Sequence, residues 1–193
     1  MKPIRIVVMQ VMWMLLIFAW CEAEAADRKE WVKLTGCQYV TQDYNDGDSF
    51  VIKCSSDEFI LRLYFVDAPE TNLRFAERTR EQSEYFGVTL DETMKAGVKA
   101  KETVRDILQQ SFVVWTRWAS AQGRSKKPRY YGFIEIDGKW LAELLVSKGL
   151  ARTKGVKSKL PTGEKSKVYA EHLNTLEREA QQQRIGIWAG TKK

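Results

Sequence analysis

Hydrophobic and polar positions along this chain recur at two different spacings. Between Phe59 and Val66 they alternate: Phe59, Leu61, Leu63 and Phe65 share one face, while Ile60, Arg62, Tyr64 and Val66 share the other. That period-2 pattern predicts a strand. Cys37–Tyr44 and Ser49–Cys54 read as two more strands around an Asn45-Asp46-Gly47-Asp48 turn. Three sequential strands with tight connections predict an antiparallel meander. Residues 72–89 are polar and carry both charges, which predicts a long exposed loop with at most a short helical turn. From Leu90 to Gln110 the spacing becomes helical, with Met94, Val98, Lys101, Val104, Ile107 and Leu108 forming a stripe. Phe112–Trp118 and Tyr130–Ile136 are aromatic and β-branched, and predict two further strands. Asp137-Gly138 is a hairpin-type turn. A short helix over Leu141–Lys148 should stop at Gly149. Residues 152–167 read as a basic loop, and Lys167–Gln183 as a last helix with Tyr169, Leu173, Leu176 and Ala180 inward.

Five short strands with a helix between the third and fourth predict an α+β fold, a five-stranded OB-fold-like β-barrel with about three helices. The chain of 193 residues suits one such domain, over residues 36–190, plus short extensions.

The N-terminus follows a different pattern. Lys2 and Arg5 precede an almost wholly apolar run from Ile6 to Trp20, and Ala23-Glu24-Ala25 offers a small-x-small cleavage site. This is the layout of a secretory signal peptide over residues 1–25, followed by a polar leader over 26–35. The run is about 15 residues, short of the roughly 20 that a spanning helix needs. A secreted or periplasmic protein is the expectation, with a membrane-tethered form, held by an uncleaved segment, as the alternative. Cys21 fits a lipoprotein site poorly, because bulky Trp20 precedes it.

Residues 1–25 carry Lys2, Arg5, Glu22 and Glu24, so their removal leaves the net charge at +6. A basic exported protein is drawn to polyanions. Removal also leaves two cysteines, Cys37 and Cys54. An even count in an exported chain points to a disulfide. The two stand equidistant from the Asn45-Asp46 turn, which would set them opposite each other on paired strands. Two buried thiols are the alternative reading.

The chemistry is narrowed by elimination. His172 is the only histidine and falls in the last helix, so histidine-pair catalysis and a Ser-His-Asp triad are set aside. Zinc-hydrolase signatures and Gly-rich phosphate loops of the Walker or Rossmann kind are absent. What remains is a set of acids and arginines: Asp46, Asp48, Arg62, Asp67 and Glu70. Asp46-Gly47-Asp48 alone could be turn chemistry, and Asp67 through Glu70 alone a helix cap. Together they sit at the ends of neighbouring strands. Hard cations take oxygen ligands, and arginine grips phosphate with a planar fork.

The same residues resemble the staphylococcal nuclease family of thermonuclease-like domains. The resemblance rests on Asp46-Gly47-Asp48-Ser49, on Arg62 through Val66-Asp67-Ala68-Pro69-Glu70, on Gly149-Leu150-Ala151 and on Gly186-Ile187-Trp188. It implies that Asp48, Asp67 and the carbonyl of Ala68 bind Ca²⁺. It implies that Glu70 orients or deprotonates the attacking water, and that Arg62 and a second arginine, Arg129, hold the phosphate. The implied activity is Ca²⁺-dependent hydrolysis of DNA or RNA, with low sequence specificity and 3′-phosphate products. A monomer with no stable membrane partner after signal cleavage is expected.

This chain departs from the family pattern in places. Lys127-Pro128-Arg129 replaces the usual Tyr-Gly-Arg, which leaves Arg124 as the alternative second arginine. Base-stacking tyrosines are not evident over 152–158, where Lys154, Lys157 and, with them, Arg124 and Lys127 could grip the nucleic-acid backbone instead. Two other functions fit the same composition: a non-catalytic nucleic-acid-binding module, and a cell-surface protein that binds through its basic loops.

Overall fold

The computed structural model describes residues 30–122 and 127–191. The expected signal peptide and Arg124 lie outside them. The chain divides into two units at Trp31–Val32, and the second carries the elements that follow. Among the described residues, no helix is long and apolar enough to cross a membrane.

The described residues form nine strands: β1 (Val32–Leu34), β2 (Cys37–Val40), β3 (Ser49–Cys54), β4 (Asp57–Leu63), β5 (Val66–Asp67), β6 (Val113–Ser120), β7 (Arg129–Ile136), β8 (Lys139–Trp140) and β9 (Arg152–Thr153). Four α-helices accompany them: α1 (Ala76–Phe86), α2 (Leu90–Ile107), α3 (Leu141–Ser147) and α4 (Ser166–Gln182). The fold is α+β. The main sheet has the order β1-β6-β7-β4-β3-β2, with β8 on β7, while β5 and β9 pair separately. The expected meander is present as the antiparallel pairs β2–β3 and β3–β4. β4 and β7 pair in parallel, which requires a long crossover; α1, α2 and β6 supply it. The five longer strands are those of an OB-fold-like sheet, but among the described residues no ladder closes it into a barrel. Its two end strands, β1 and β2, are separated in the chain only by Thr35-Gly36, where Gly36 turns with a φ of 66°. The expected polar leader therefore contains an edge strand, since β1 pairs with β6.

Phe50, Ile52, Leu61, Leu63, Phe133 and Ile134 are buried on the strands, and α3 and α4 add Leu141, Leu145, Tyr169 and Leu173. Each such side chain contributes about 1.5–3 kcal/mol by leaving water, so apolar packing fixes the strand ends that carry the acids. Cys37 and Cys54 are direct partners in the β2–β3 register and form a disulfide. Asp137 and Gly138 both take positive φ, as a type I′ hairpin turn requires.

Two expectations are corrected. First, residues 72–89 are not an exposed loop. They hold a short 3₁₀ turn, Leu73–Phe75, and then the 11-residue helix α1. Its buried positions are Thr79, Gln82 and Phe86. This inward stripe is mostly polar, so it leaves no hydrophobic signal. The face of α2 is also displaced from expectation. Its buried residues are Thr93, Gly97, Ala100 and Val104, while Val98 is exposed. Small residues rather than large ones bring this helix close to the loops beside it.

Second, Phe59–Val66 is not one strand. β4 ends at Leu63, and Phe65 adopts a φ of 69° although it is almost fully buried. A bulky residue in that region carries strain of order 1–3 kcal/mol. Phe65 is held there by donating its N–H to the Val156 carbonyl at 3.0 Å and by edge-on packing against Tyr169. The reversal redirects the chain into β5, so Asp67 pairs with Arg152 of β9 instead of continuing the main sheet.

Candidate active site

The site is built where two loops meet on the same end of the sheet. The first leads into β3. Asp46 accepts hydrogen bonds through Oδ1 from the backbone N–H groups of Asp48 (3.1 Å) and Ser49 (2.6 Å), closing the turn. Buried Asn45 stitches the same loop, donating to the Val40 carbonyl and accepting from Val51 N–H. Asp46 is thus a turn residue, and Asp48 is the acid carried inward. The second loop follows β5 and carries Asp67, Ala68 and Glu70. Ala68 N–H donates to Asp48 Oδ2 at 2.8 Å, which ties the two loops together. Helix α2 lies beneath both. A Cβ on Gly47 would stand 2.7 Å from the Ala100 Cβ, and one on Gly97 would stand 2.5 Å from the carbonyl oxygens of Pro69 and Glu70.

Arg62 stands opposite Ser49 in the β3–β4 ladder and beside Tyr131 in the β4–β7 ladder. Its Nη1 is 2.8 Å from Asp48 Oδ1, and its Nη2 is 3.4 Å from Asp67 Oδ1. One guanidinium therefore spans both carboxylates. Arg129 begins β7 and donates from Nε to Ser49 Oγ at 3.1 Å. Pro128 does not disturb it, because a proline at a strand start loses no ladder donor. The Pro128 carbonyl accepts from Ile60 N–H at 2.9 Å, so the backbone before Arg129 is anchored. Arg62, Arg129 and Arg78 line one cleft of about 280 Å³, together with Tyr131, Gly155 and Val156. A second cleft of about 260 Å³, between Lys33, Cys54, Asp57, Phe59 and Trp118, is lined by none of Asp48, Asp67 and Glu70.

Three residues that sequence reasoning missed complete the arrangement. Arg78 of α1 contacts Asp67 Oδ1 through Nη2 and Glu70 Oε1 through Nε, the latter at 2.7 Å. Gln82, one turn later, donates from Nε2 to Asp67 Oδ2 (3.1 Å) and to the Ala68 carbonyl (2.9 Å), and its Oε1 accepts from Glu70 N–H (2.8 Å). Arg152 lies almost wholly inside, with Nε 2.9 Å and Nη2 2.8 Å from Asp67 Oδ2. Its far side meets Glu81, and its guanidinium lies over the Tyr85 ring. The i, i+4 spacing of Arg78 and Gln82 would have signalled one helix face, had the helix been legible. Arg152 gave no signal beyond following Gly149-Leu150-Ala151.

The proton affinities follow from these surroundings. Burial pushes the Asp48 carboxyl up, against the pull of Arg62 and with Asp46 and Asp67 adding to the rise. Burial acts on Asp67 too, but Arg78, the Gln82 hydrogen bond and Arg152 outweigh it, and its carboxyl sits below the ordinary value. Glu70 is raised by burial, opposed by Arg78, with Asp48 and Asp67 adding to the rise. Burial lowers Arg129, helped by the positive charge of Arg62.

The remaining basic candidates are dispersed. Lys127 pairs with Glu58. Lys154 is 3.0 Å from Glu81, and Lys157 is exposed. His172 is half exposed and faces Glu143 at 3.7 Å, away from the acids.

A family profile described as "Staphylococcal nuclease homologue" matches residues 60–190, well over half of the chain. The chain belongs to this family. No curated protein matches it significantly. As a staphylococcal nuclease homologue it has a nuclease-like or nucleic-acid-binding function. The matched stretch holds Arg62, Asp67, Ala68, Glu70 and Arg129. Asp46 and Asp48 precede that stretch, and it is the β3–β4 register that brings them to the others.

Members of the family are generally Ca²⁺-dependent, and the donor set here can be tested against that ion. Asp48 Oδ1 is buried and, although near Arg62, receives no hydrogen bond of good angle. Asp67 Oδ1 lies at the other tip of the same guanidinium. The Ala68 carbonyl has one partner, Gln82, and a carbonyl has two lone pairs. All three are hard oxygen donors, as calcium prefers. Among the described residues, no group of three or more acidic, histidine or cysteine side chains is close enough to form a cage. Asp48, Asp67 and the Ala68 carbonyl supply fewer oxygens than the roughly 6–8 that calcium takes, so they fit an ion that keeps several waters.

Proposed function

We propose that this protein is an exported, Ca²⁺-dependent phosphodiesterase that hydrolyses DNA or RNA with little sequence preference. The observation that carries the reading is the convergence of Arg62, Arg78 and Arg129 on one cleft, with Asp48, Asp67 and Glu70 held directly behind Arg62 and Arg78 by ion pairs. Phosphodiester hydrolysis builds negative charge on the phosphoryl oxygens and on the leaving oxygen. Fixed cations aimed at those positions stabilise the transition state. Asp48, Asp67 and the Ala68 carbonyl would hold the ion, which when bound supplies Lewis-acid polarisation and charge neutralisation.

This chain's own residues do the rest. Arg62 holds a phosphate oxygen. Arg129, fixed through Ser49, faces the leaving side. Glu70 is partly buried and has a raised proton affinity, which brings it nearer the range useful for a general base. It orients the attacking water and accepts its proton. Attack opposite the 5′ oxygen leaves a 3′-phosphate. Tyr131 lines the cleft together with Gly155 and Val156, and so offers an aromatic ring for a nucleotide where 152–158 supplies no tyrosine.

The N-terminal segment over 1–25 is proposed to direct export, and the Cys37–Cys54 disulfide supports an oxidising destination. The protein is proposed to act as a monomer. The decisive experiment is incubation of the purified protein with plasmid DNA and with single-stranded RNA, in Ca²⁺ and in excess chelator. Cleavage in Ca²⁺ that chelator abolishes is expected. Binding without cleavage in either medium overturns the enzymatic reading and leaves a binding module.

A further inference from the structure

The two oxygens of Asp67 keep different company. Oδ2 is held by Arg152 at 2.9 and 2.8 Å and by Gln82 at 3.1 Å. Both partners are buried, with the Arg152 side chain only 2% exposed. That half of the carboxylate is anchored. Oδ1 faces Arg62 and Arg78. The Arg62 side chain is 14% exposed and fixed between two strands, whereas that of Arg78 is 39% exposed and projects from a surface helix. Arg78 is the arginine that contacts the carboxylates of both Asp67 and Glu70, the proposed ion ligand and the proposed base. Three guanidinium groups thus surround a single carboxylate, and Arg78 is the most exposed of them.

We infer that Arg78 is a built-in counter-cation that competes with the divalent ion for the Asp67–Glu70 side of the site and so weakens its binding. A divalent ion entering beside Asp67 Oδ1 meets the positive charge of Arg78 at contact range, where Coulomb repulsion is strong in a partly buried setting. The ion must displace Arg78 toward solvent to gain the field of Asp67 and Glu70. Arg62 also faces the ion, but it is shared with Asp48 and fixed in the ladder, so it does not leave. Arg78 thereby sets the calcium concentration at which the site fills.

This inference rests on the proposed ion site, and its test reads binding rather than turnover. Calcium chloride is titrated calorimetrically into the full-length oxidised protein and into Arg78→Gln, Arg78→Lys and Arg80→Gln. Arg80 sits on the same helix, exposed and paired with Glu77, and so controls for net charge. Arg78→Gln is expected to lower the Kd for Ca²⁺ at least tenfold. Arg78→Lys, which keeps the charge, should stay within about threefold of the parent, and Arg80→Gln should match it. An unchanged or weaker Kd for Arg78→Gln overturns the inference. So does equal tightening in Arg78→Lys or in Arg80→Gln. Circular dichroism of each variant checks that the fold is kept. Cleavage of DNA by the parent in saturating Ca²⁺ is measured alongside. If the parent cleaves and Arg78→Gln does not tighten, only the role of Arg78 fails. If the parent neither binds Ca²⁺ nor cleaves, the proposed function fails with it.

Discussion

Arg152 and Asp67 face each other across the two-residue ladder of β5 and β9, with two guanidinium nitrogens of one converging on a single oxygen of the other. The pair is buried and joins the loop after β9 to the loop that carries the site acids. Removing one partner of a buried ion pair leaves the other uncompensated, at a cost of about 3–5 kcal/mol. Arg152→Ala should lose stability in that range by urea denaturation. Arg152→Lys should recover part of it, because an ammonium cannot reproduce the fork.

Glu81 lies on the outer side of the same arginine. Its hydrogen bonds to Arg152 lower its proton affinity to about 2, with Lys154 contributing further. A carboxyl lowered on folding stabilises the native state above its unfolded value and loses that effect as pH falls toward its folded value. Glu81→Gln should therefore be less stable than the parent at pH 7, by about 0.5 kcal/mol once solvent screening of this exposed group is allowed for. The gap should narrow as pH falls from about 4.5 toward 2. Paired urea titrations at pH 7 and pH 3 check this, and a gap that widens in acid would contradict it.

Glu70→Gln keeps the shape of the side chain and its backbone bond to Gln82 while removing the base. Loss of general-base catalysis is typically about 10²–10⁴-fold. Cleavage by Glu70→Gln should fall in that range while DNA affinity, read by fluorescence anisotropy in Ca²⁺, changes little. Equal loss of binding and cleavage would assign Glu70 to substrate binding instead.

The disulfide closes the hairpin that carries Asp48. A loop of this size contributes about 3 kcal/mol, chiefly by restricting the unfolded chain. The Cys37→Ser, Cys54→Ser double variant should lose about 2–4 kcal/mol, measurable as a lower Tm. The parent in reducing buffer should approach the same Tm.

The strands around Asp46 and the helices at 141–148 and 167–183 were legible in the sequence because large apolar residues mark one face of each. Asp48, Arg62, Asp67 and Glu70 could be brought together because strand pairing follows from those patterns. Helix α1 was not legible: its inward face is Thr79, Gln82 and Phe86, of which Thr79 bonds to the carbonyls of Asn72 and Phe75 and Gln82 serves the site, so two of the three are polar. For the same reason Arg78 and Gln82 went unseen. Arg152 escaped because its importance lies in the turn at Phe65, a left-handed conformation that no composition announces. Site-building residues hide where local pattern yields to tertiary need.

Gly97 tests how closely α2 supports the site. Alanine gains helix propensity of about 1 kcal/mol, but its Cβ meets two backbone carbonyls that cannot swing aside. Overpacking typically costs about 1–3 kcal/mol. Gly97→Ala should be net destabilised by about 1 kcal/mol in urea denaturation, and its cleavage rate should fall further than that loss of stability accounts for.

The contacts of Gly47 and Gly97 mean that the two acid-bearing loops rest on one common floor, a strip of α2 without side chains to spare. The spacing between Asp48 and Asp67 is therefore inherited from a helix that contributes no chemistry of its own. Changes on that strip would reach both acids at once and in concert. In a mutational screen they would pass for active-site lesions, and for anyone seeking to fit a larger or smaller ion they offer a single adjustment that leaves every reacting group in place.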